Sequence, residues 1–113
     1  MLQDRQQLTT EVVPGDGHVT LRLAGEIDMN TAPVVRGTAL AAMRQHSTTV
    51  HIDLSRVTFM DSTGLEVLLA TRRRAELSGG HLELIDPTHA VLRVLEVTGV
   101  DRLFQINPGS RTQ

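Results

Sequence analysis

The segment Asp61-Ser62-Thr63-Gly64 places a carboxylate, two adjacent hydroxyls and a glycine immediately before a run of residues with helical spacing. A helix N-terminus offers backbone N–H groups and the positive end of the helix dipole, so a phosphate group is well accommodated there. Gly64 allows close backbone approach and leaves the hydroxyls unshielded. The residue types therefore predict either a phosphorylation site or an ordinary helix cap formed by Asp61 or Ser62. Local features alone favour the cap, because many helices begin with such residues.

Other reaction chemistries lack the residues that they need. All 11 basic residues are arginine, which excludes a Schiff-base lysine and the lysine of a phosphate-binding loop. The absence of cysteine excludes thiol nucleophiles and cysteine-ligated zinc, and the 5 histidines lack metal-ligand spacing. Thr63 interrupts the aspartic-protease pattern, and Ser62 has no surrounding Gly-x-Ser-x-Gly motif. We therefore expect no metal and no cofactor.

The composition also narrows the classes of partner. The chain has 113 residues, a formal net charge of −2 and only 2 aromatic residues, both phenylalanine. This composition argues against binding to a nucleic-acid backbone and against base stacking. No stretch approaches the ~20 apolar residues of a membrane span, and residues 1–5 are polar. We expect a cytoplasmic protein that binds neither nucleic acid nor membrane.

Alternating and helical patterns predict the elements that position Ser62. Strands are predicted over residues 8–13, 18–24, 48–54 and 81–85, with a turn at 14–17 and loops at 25–30 and 55–60. Helices are predicted over 31–45 with Thr31 as the cap, over 61–78, and from Asp86 and Pro87 to about 98–99. Residues 100–106 are either a helical turn or an edge strand, and residues 1–7 and 107–113 are polar tails. This order predicts an α/β fold, with an antiparallel hairpin joined to a partly parallel sheet.

The same patterns predict which side chains face the core. The predicted core residues on strands are Val19, Leu21, Leu23, Val50, Ile52 and Leu54, and those on the first two helices are Val34, Val35, Ala39, Ala42, Met43, Leu65, Leu68, Leu69 and Ala75. The third helix contributes Val91, Leu92 and Leu95. Histidines 18, 51 and 81 fall on the polar faces of their strands.

Four segments in order resemble one protein family. The string FMDSTGL at Phe59–Leu65 closely resembles the phosphorylation motif of STAS domains, and more narrowly that of bacterial anti-sigma factor antagonists. Leu23–Asp28 resembles the family's loop after the second strand, Thr31–Pro33 the start of its first helix, and Leu92–Val100 its C-terminal helix and turn. The resemblance spans about residues 8–106. It implies one STAS-like domain over residues 1–113, with a mixed four- to five-stranded sheet and helices packed against it.

The resemblance also implies a partner-switching function in the regulation of transcription, as in stress response or sporulation. In that family the unphosphorylated antagonist binds an anti-sigma factor that is also a serine kinase, and this binding releases the sigma factor. The kinase phosphorylates the serine directly after the motif aspartate, here Ser62, and a PP2C-type serine phosphatase restores binding. Phosphorylation of Thr63 stays open as the second choice. A monomer is the expected state.

The partner surface is expected around the start of the Ser62 helix. Its predicted residues are Asp28, Asp61, Ser62, Thr63, Gly64 and Glu66. Asp28 matches an aspartate that the family places beside the phosphorylated serine, although its type and position equally fit a turn residue. Glu66 stands where the family often has glycine, which we expect to affect the choice of partner. The alternative function is a STAS interaction module without a switch, within a transport, lipid-trafficking or stress-sensing complex.

Overall fold

The computed structural model of the protein describes residues 7–109. Five strands, three helices and one 3₁₀ turn follow in the order β1 Leu8–Pro14, β2 Val19–Ile27, α1 Ala32–Gln45, β3 Val50–Met60, α2 Ser62–Leu77, β4 Leu82–Ile85, α3 His89–Val97, the turn Asp101–Leu103 and β5 Gln105–Asn107. The predicted order is confirmed. The segment at residues 100–106, predicted as either a helical turn or an edge strand, contains a helical turn and most of a short strand. The polar tails were predicted at 1–7 and 107–113. Asn107 instead ends β5, and residues 1–6 and 110–113 lie outside the described residues.

The strands form one mixed sheet in the order β1-β2-β3-β4-β5. β1 and β2 are antiparallel, as a hairpin through the predicted turn requires, and the remaining pairs are parallel. The register pairs Ile27 with Met60, the last residues of β2 and β3. The loops that follow these two strands therefore emerge side by side at one edge of the sheet.

The helices cover one face of the sheet. The buried core residues on the strands include Val19, Leu21, Leu23, Ile27, Val50, Ile52, Leu54, Val57, Met60, Leu82 and Leu84. The three helices pack against them through residues that include Val35, Ala39, Leu68, Ala75, Val91 and Leu95. The opposite face carries Arg22, His51, Asp53 and Glu83, which are half-buried or exposed. Most of the predicted core is confirmed. Val34 is an exception because it is 51% exposed on the first turn of α1.

β2 and β3 extend three and six residues beyond their predicted ends. The register steps from Arg22↔Asp53 to Ala24↔Arg56, and again from Gly25↔Val57 to Glu26↔Phe59, so β3 contains an extra residue at each step. Each bulge shifts the buried positions of β3 from a spacing of two to a spacing of three. The predicted loops at 25–30 and 55–60 were therefore wrong over 25–27 and 55–60, where the chain continues as strand.

The predicted start of α1 is confirmed, with Thr31 in the cap position, although the Thr31 side chain makes no capping hydrogen bond to the helix. The predicted start of α3 was wrong. α3 begins at His89 rather than at Asp86 and Pro87, because Asp86 has a positive φ of 49° and Thr88 is the cap. The Thr88 hydroxyl accepts a hydrogen bond from Val91 N and donates one to the Val57 carbonyl, 2.7 Å away. This cap fixes the start of α3 to β3.

Candidate phosphorylation and partner-binding site

Asp28 and Asp61 follow the paired ends of β2 and β3. The Asp61 N–H donates to the Ile27 carbonyl at 3.2 Å, which continues the strand pairing one residue further. The structure thus brings the loop of Asp28 beside the Asp61-Ser62-Thr63-Gly64 segment. This is the edge of a parallel sheet, beyond the carboxyl ends of the strands, where α/β proteins commonly place their sites.

Asp61 is the cap of α2. Its Oδ1 accepts hydrogen bonds from the backbone N–H groups of Thr63 at 2.9 Å and Gly64 at 3.4 Å, and from the Thr63 hydroxyl. The hydrogen bond from the Thr63 hydroxyl, followed by those from the backbone, holds the pKa of Asp61 below its ordinary value. The carboxylate is therefore ionised at neutral pH.

The two adjacent hydroxyls have different environments. Thr63 is half-buried and its hydroxyl donates to Asp61. Ser62 is exposed, and its hydroxyl makes no hydrogen bond among residues 7–109. A kinase would reach Ser62 without breaking an existing contact, whereas Thr63 would have to leave the cap.

Gly64 allows α2 to rest directly on the strand ends. A Cβ atom on Gly64 would lie 2.5 Å from Met60 Cγ and 2.8 Å from Ile27 Cγ2, closer than side chains approach each other. Gly64 is itself buried. The absence of a side chain at this position therefore sets where Ser62 emerges.

Asp28 forms the turn that leads into α1. Its Oδ1 accepts from the N–H groups of Asn30 at 2.9 Å and Thr31 at 3.1 Å. The buried Thr31 hydroxyl accepts from Asp28 N at 2.9 Å and donates to the Glu26 carbonyl at 2.8 Å. Asp28 thus has a structural role in the turn, and its contact with a partner stays a prediction.

Shallow grooves lie on both sides of Ser62. Between α1 and α2, one groove is lined by residues that include Met29, Arg36, Thr63 and Glu66. Between α2 and α3, the other is lined by Asp61, Ser62, Arg93, Val94, Val97 and Thr98. The predicted residues Ser62, Thr63 and Glu66 are thus placed at the rims of these grooves.

Exposed apolar side chains surround the site. Met29 is 69% exposed and Val97 78% exposed, and each lines one of the two grooves. Phe59 is 47% exposed and lies three residues before Ser62. Sequence reasoning missed Val97 and Arg93, which only the packing of α3 beside α2 brings to Ser62, and Met29, which the packing of α1 beside α2 brings to the groove with Thr63.

The polar sheet face holds the other concentration of titratable groups. The rings of His18 and His51 stack with centroids 4.3 Å apart, and His51 Nε2 lies 3.4 Å from Glu83 Oε1. Burial, and then the neighbouring His18, lower the pKa of His51 despite the opposing effect of Glu83. Across residues 7–109 no group of three or more His, Cys, Asp or Glu side chains could hold a metal ion. In the same range no helix has the length and hydrophobicity to span a membrane.

Residues 12–106 match the family model described as "Mlab, STAS domain". The chain belongs to the STAS domain family. Among curated relatives, the anti-sigma-B factor antagonist of Bacillus subtilis (strain 168) is 30% identical over 103 residues, which cover 91% of this chain and 94% of the relative. That of Staphylococcus epidermidis is 29% identical over 107 residues, covering 94% of this chain and 98% of the relative.

Solved structures place this STAS domain among the same proteins. An anti-sigma factor antagonist from Mycobacterium paratuberculosis superposes with a TM-score of 0.81 at 33% identity, covering 91% of this chain and 87% of that one. SpoIIAA, a Bacillus cell fate determinant, superposes in its phosphorylated form with a TM-score of 0.68 at 25% identity, covering 87% of this chain and 90% of that one. The predicted α/β fold of a STAS domain is thereby confirmed.

Proposed function

We propose that this STAS domain is an anti-sigma factor antagonist that phosphorylation of Ser62 switches off. In the unphosphorylated state it binds an anti-sigma factor with serine kinase activity and so releases the sigma factor. The kinase then modifies Ser62, and a PP2C-type phosphatase reverses the modification. The chain acts as a binding module and a kinase substrate, not as an enzyme.

The observation that carries this proposal is the exposed Ser62 hydroxyl, which makes no hydrogen bond within residues 7–109 and borders a groove with the exposed Val97. Met29 and Val97 are exposed apolar side chains that line the grooves beside α2, and exposed apolar surface of this kind marks protein interfaces. Relatives that are named anti-sigma-B factor antagonists, and a similar structure determined in a phosphorylated form, support the same function.

The physical effect of the modification is local. Phosphorylation adds about −1.5 to −2 charge and three acceptor oxygens. At Ser62 this charge would lie beside the ionised Asp61 and within the apolar surroundings of the two grooves. A partner that packs against Met29 and Val97 would have to desolvate the phosphate, so binding is lost while the fold stays intact.

The first experiment locates the phosphate. The purified protein is incubated with ATP and soluble extract of its own organism, and modified peptides are identified by mass spectrometry. We expect phosphate on Ser62, no phosphate in Ser62→Ala, and unchanged modification in Thr63→Val. Modification on Thr63 alone would move the switch by one residue, and no modification under several growth conditions would contradict the phosphorylation step.

The second experiment tests the switch itself. The protein carrying phosphoserine at position 62, installed during translation, and the unmodified protein are immobilised and used to capture partners from the same extract. We expect a kinase-like anti-sigma factor on the unmodified and Ser62→Ala proteins and its loss from the phosphorylated one. Equal capture by all three would overturn the switch.

A second candidate function is a STAS interaction module that does not switch, within a transport, lipid-trafficking or stress-sensing complex. The description of the matching family model as "Mlab, STAS domain" is the observation that favours it. This function predicts that the same partner is captured whether or not Ser62 carries a phosphate.

A further inference from the structure

A phosphate on Ser62 would find most of the N–H groups of the first α2 turn already occupied. Asp61 Oδ1 accepts from Thr63 N and Gly64 N, and the Asp61 carbonyl accepts from Leu65 N at 3.2 Å. Most of the N–H groups that usually hold an anion at a helix start are therefore bonded to Asp61, which leaves the N–H of Ser62 itself. A dianionic phosphate has room for further donors.

The surroundings of Ser62 also make a countercharge necessary. Asp61 is ionised and lies next to Ser62, and Glu66 lies one helical turn further on α2. The wall of the groove formed by α3 is otherwise apolar, with Val94 and Val97. A dianionic group in this position is repelled by both carboxylates unless a cation neutralises it.

Arg93 on α3 is the cation in this groove. It lines the same space of about 300 Å³ as Ser62, and its side chain is exposed. Among residues 7–109 it has no ion pair or hydrogen bond from its guanidinium. Arginine presents planar N–H donors that suit bidentate contact with phosphate.

We infer that Arg93 binds the phosphate of phosphorylated Ser62 across the groove between α2 and α3. This inference rests on the proposed phosphorylation of Ser62 and adds a residue that receives the phosphate within the same chain. The pair would span the groove that Val94 and Val97 line, so the switch would alter an apolar contact surface in addition to introducing charge.

The test uses ³¹P NMR on the full chain with phosphoserine installed at position 62 during translation, so that no kinase is needed. The pH titration of the phosphate is compared between the parent, Arg93→Gln and Arg93→Lys. A nearby guanidinium favours the dianion, so we expect the second pKa of the phosphate to rise by about half a unit to one unit in Arg93→Gln. Arg93→Lys, which keeps the charge but not the planar donors, should lie between the two.

Arg44→Gln and Arg36→Gln are the matched controls. Arg44 is exposed in the last turn of α1, at the other end of that helix from the site, and Arg36 lines the groove with Thr63 rather than the one with Ser62. We expect both to titrate like the parent. An unchanged titration in Arg93→Gln, or a shift in Arg36→Gln instead, would overturn the assignment. Because the phosphate is installed directly, either result is independent of whether a kinase modifies Ser62 or a partner is released.

Discussion

The turn from β2 to α1 and the turn from β3 to α2 lie side by side and share one hydrogen-bond pattern. In each, an aspartate Oδ1 accepts from the backbone N–H groups two and three residues further on. Asp28 does so from Asn30 and Thr31, and Asp61 from Thr63 and Gly64. Because the two turns share this hydrogen-bond pattern, the residues at corresponding positions can be compared.

The two turns differ in the side chains at these corresponding positions. Directly after the aspartate, the first turn exposes the apolar Met29 and the second exposes the hydroxyl of Ser62. Three residues after the aspartate, the first buries the hydroxyl of Thr31 and the second buries Gly64. The position after the aspartate therefore faces outward in both, and only the second turn puts a modifiable group there.

A substitution at the third position after Asp61 has the largest expected effect on stability. Gly64→Ala places a Cβ against Ile27 and Met60, which must shift, so we expect a loss of about 1–3 kcal/mol in the free energy of unfolding. Gly37→Ala in α1 is the control, because a Cβ there meets nothing within 4 Å and should stabilise by about 0.5–1 kcal/mol. Urea unfolding measures both. Equal effects would mean that α2 does not depend on this close approach.

At the equivalent position of the turn from β2 to α1, the hydroxyl of Thr31 contributes to stability. Thr31→Val keeps the shape but leaves the Glu26 carbonyl and Asp28 N without the partner they have in Thr31, so we expect a loss of about 1–3 kcal/mol. Thr38→Val removes a hydrogen bond from an exposed hydroxyl to the Val34 carbonyl and should change stability by less than about 0.5 kcal/mol. Similar losses in the two variants, again from urea unfolding, would show that burial of Thr31 is unimportant.

Sequence patterns were sufficient for the parts of this fold that repeat regularly. The alternation at Val19–Leu23 and Val50–Leu54 predicted both strands and their buried face, because each residue step reverses the side chain. The residue types of Asp61-Ser62-Thr63-Gly64 predicted a helix start with available hydroxyls. Choosing Ser62 over Thr63 rested on the family resemblance, and the structure adds the difference in their exposure and hydrogen bonding.

The remaining features depend on contacts between segments far apart in the chain. The bulges of β3 interrupt the alternation, so its last six residues resembled a loop. The start of α3 is set by the contact between Thr88 and the Val57 carbonyl, 31 residues away in sequence. Arg93 lies beside Ser62 only because α3 packs next to α2. No local pattern around these residues contains that information.

The two aspartates themselves should contribute at an intermediate level. At pH 7 we expect Asp61→Ala, which removes the cap of α2, and Asp28→Ala, which removes two hydrogen bonds of the turn, each to lose about 0.5–2 kcal/mol of stability. The pKa of Asp61 is lowered on folding, so its contribution is present above the unfolded value of 3.8 and is lost as pH falls below it. The difference between the parent and Asp61→Ala should therefore shrink between pH 5 and pH 2, as measured by urea unfolding at each pH. A constant difference would show that the neutral carboxyl caps α2 equally well.

Ser62→Ala should have the smallest effect on stability. Because the hydroxyl is exposed and makes no hydrogen bond among residues 7–109, its removal should change the free energy of unfolding by less than about 0.5 kcal/mol. Urea unfolding of Ser62→Ala and of Thr31→Val compares the loss of an exposed hydroxyl with the loss of a buried, hydrogen-bonded one. A loss above about 1 kcal/mol would mean that Ser62 supports its turn as Thr31 does, since a cost of that size is typical of a lost cap or buried hydrogen bond. In that case loss of binding on phosphorylation could follow from a disturbed helix start, and the local mechanism at the interface would no longer be needed to explain it.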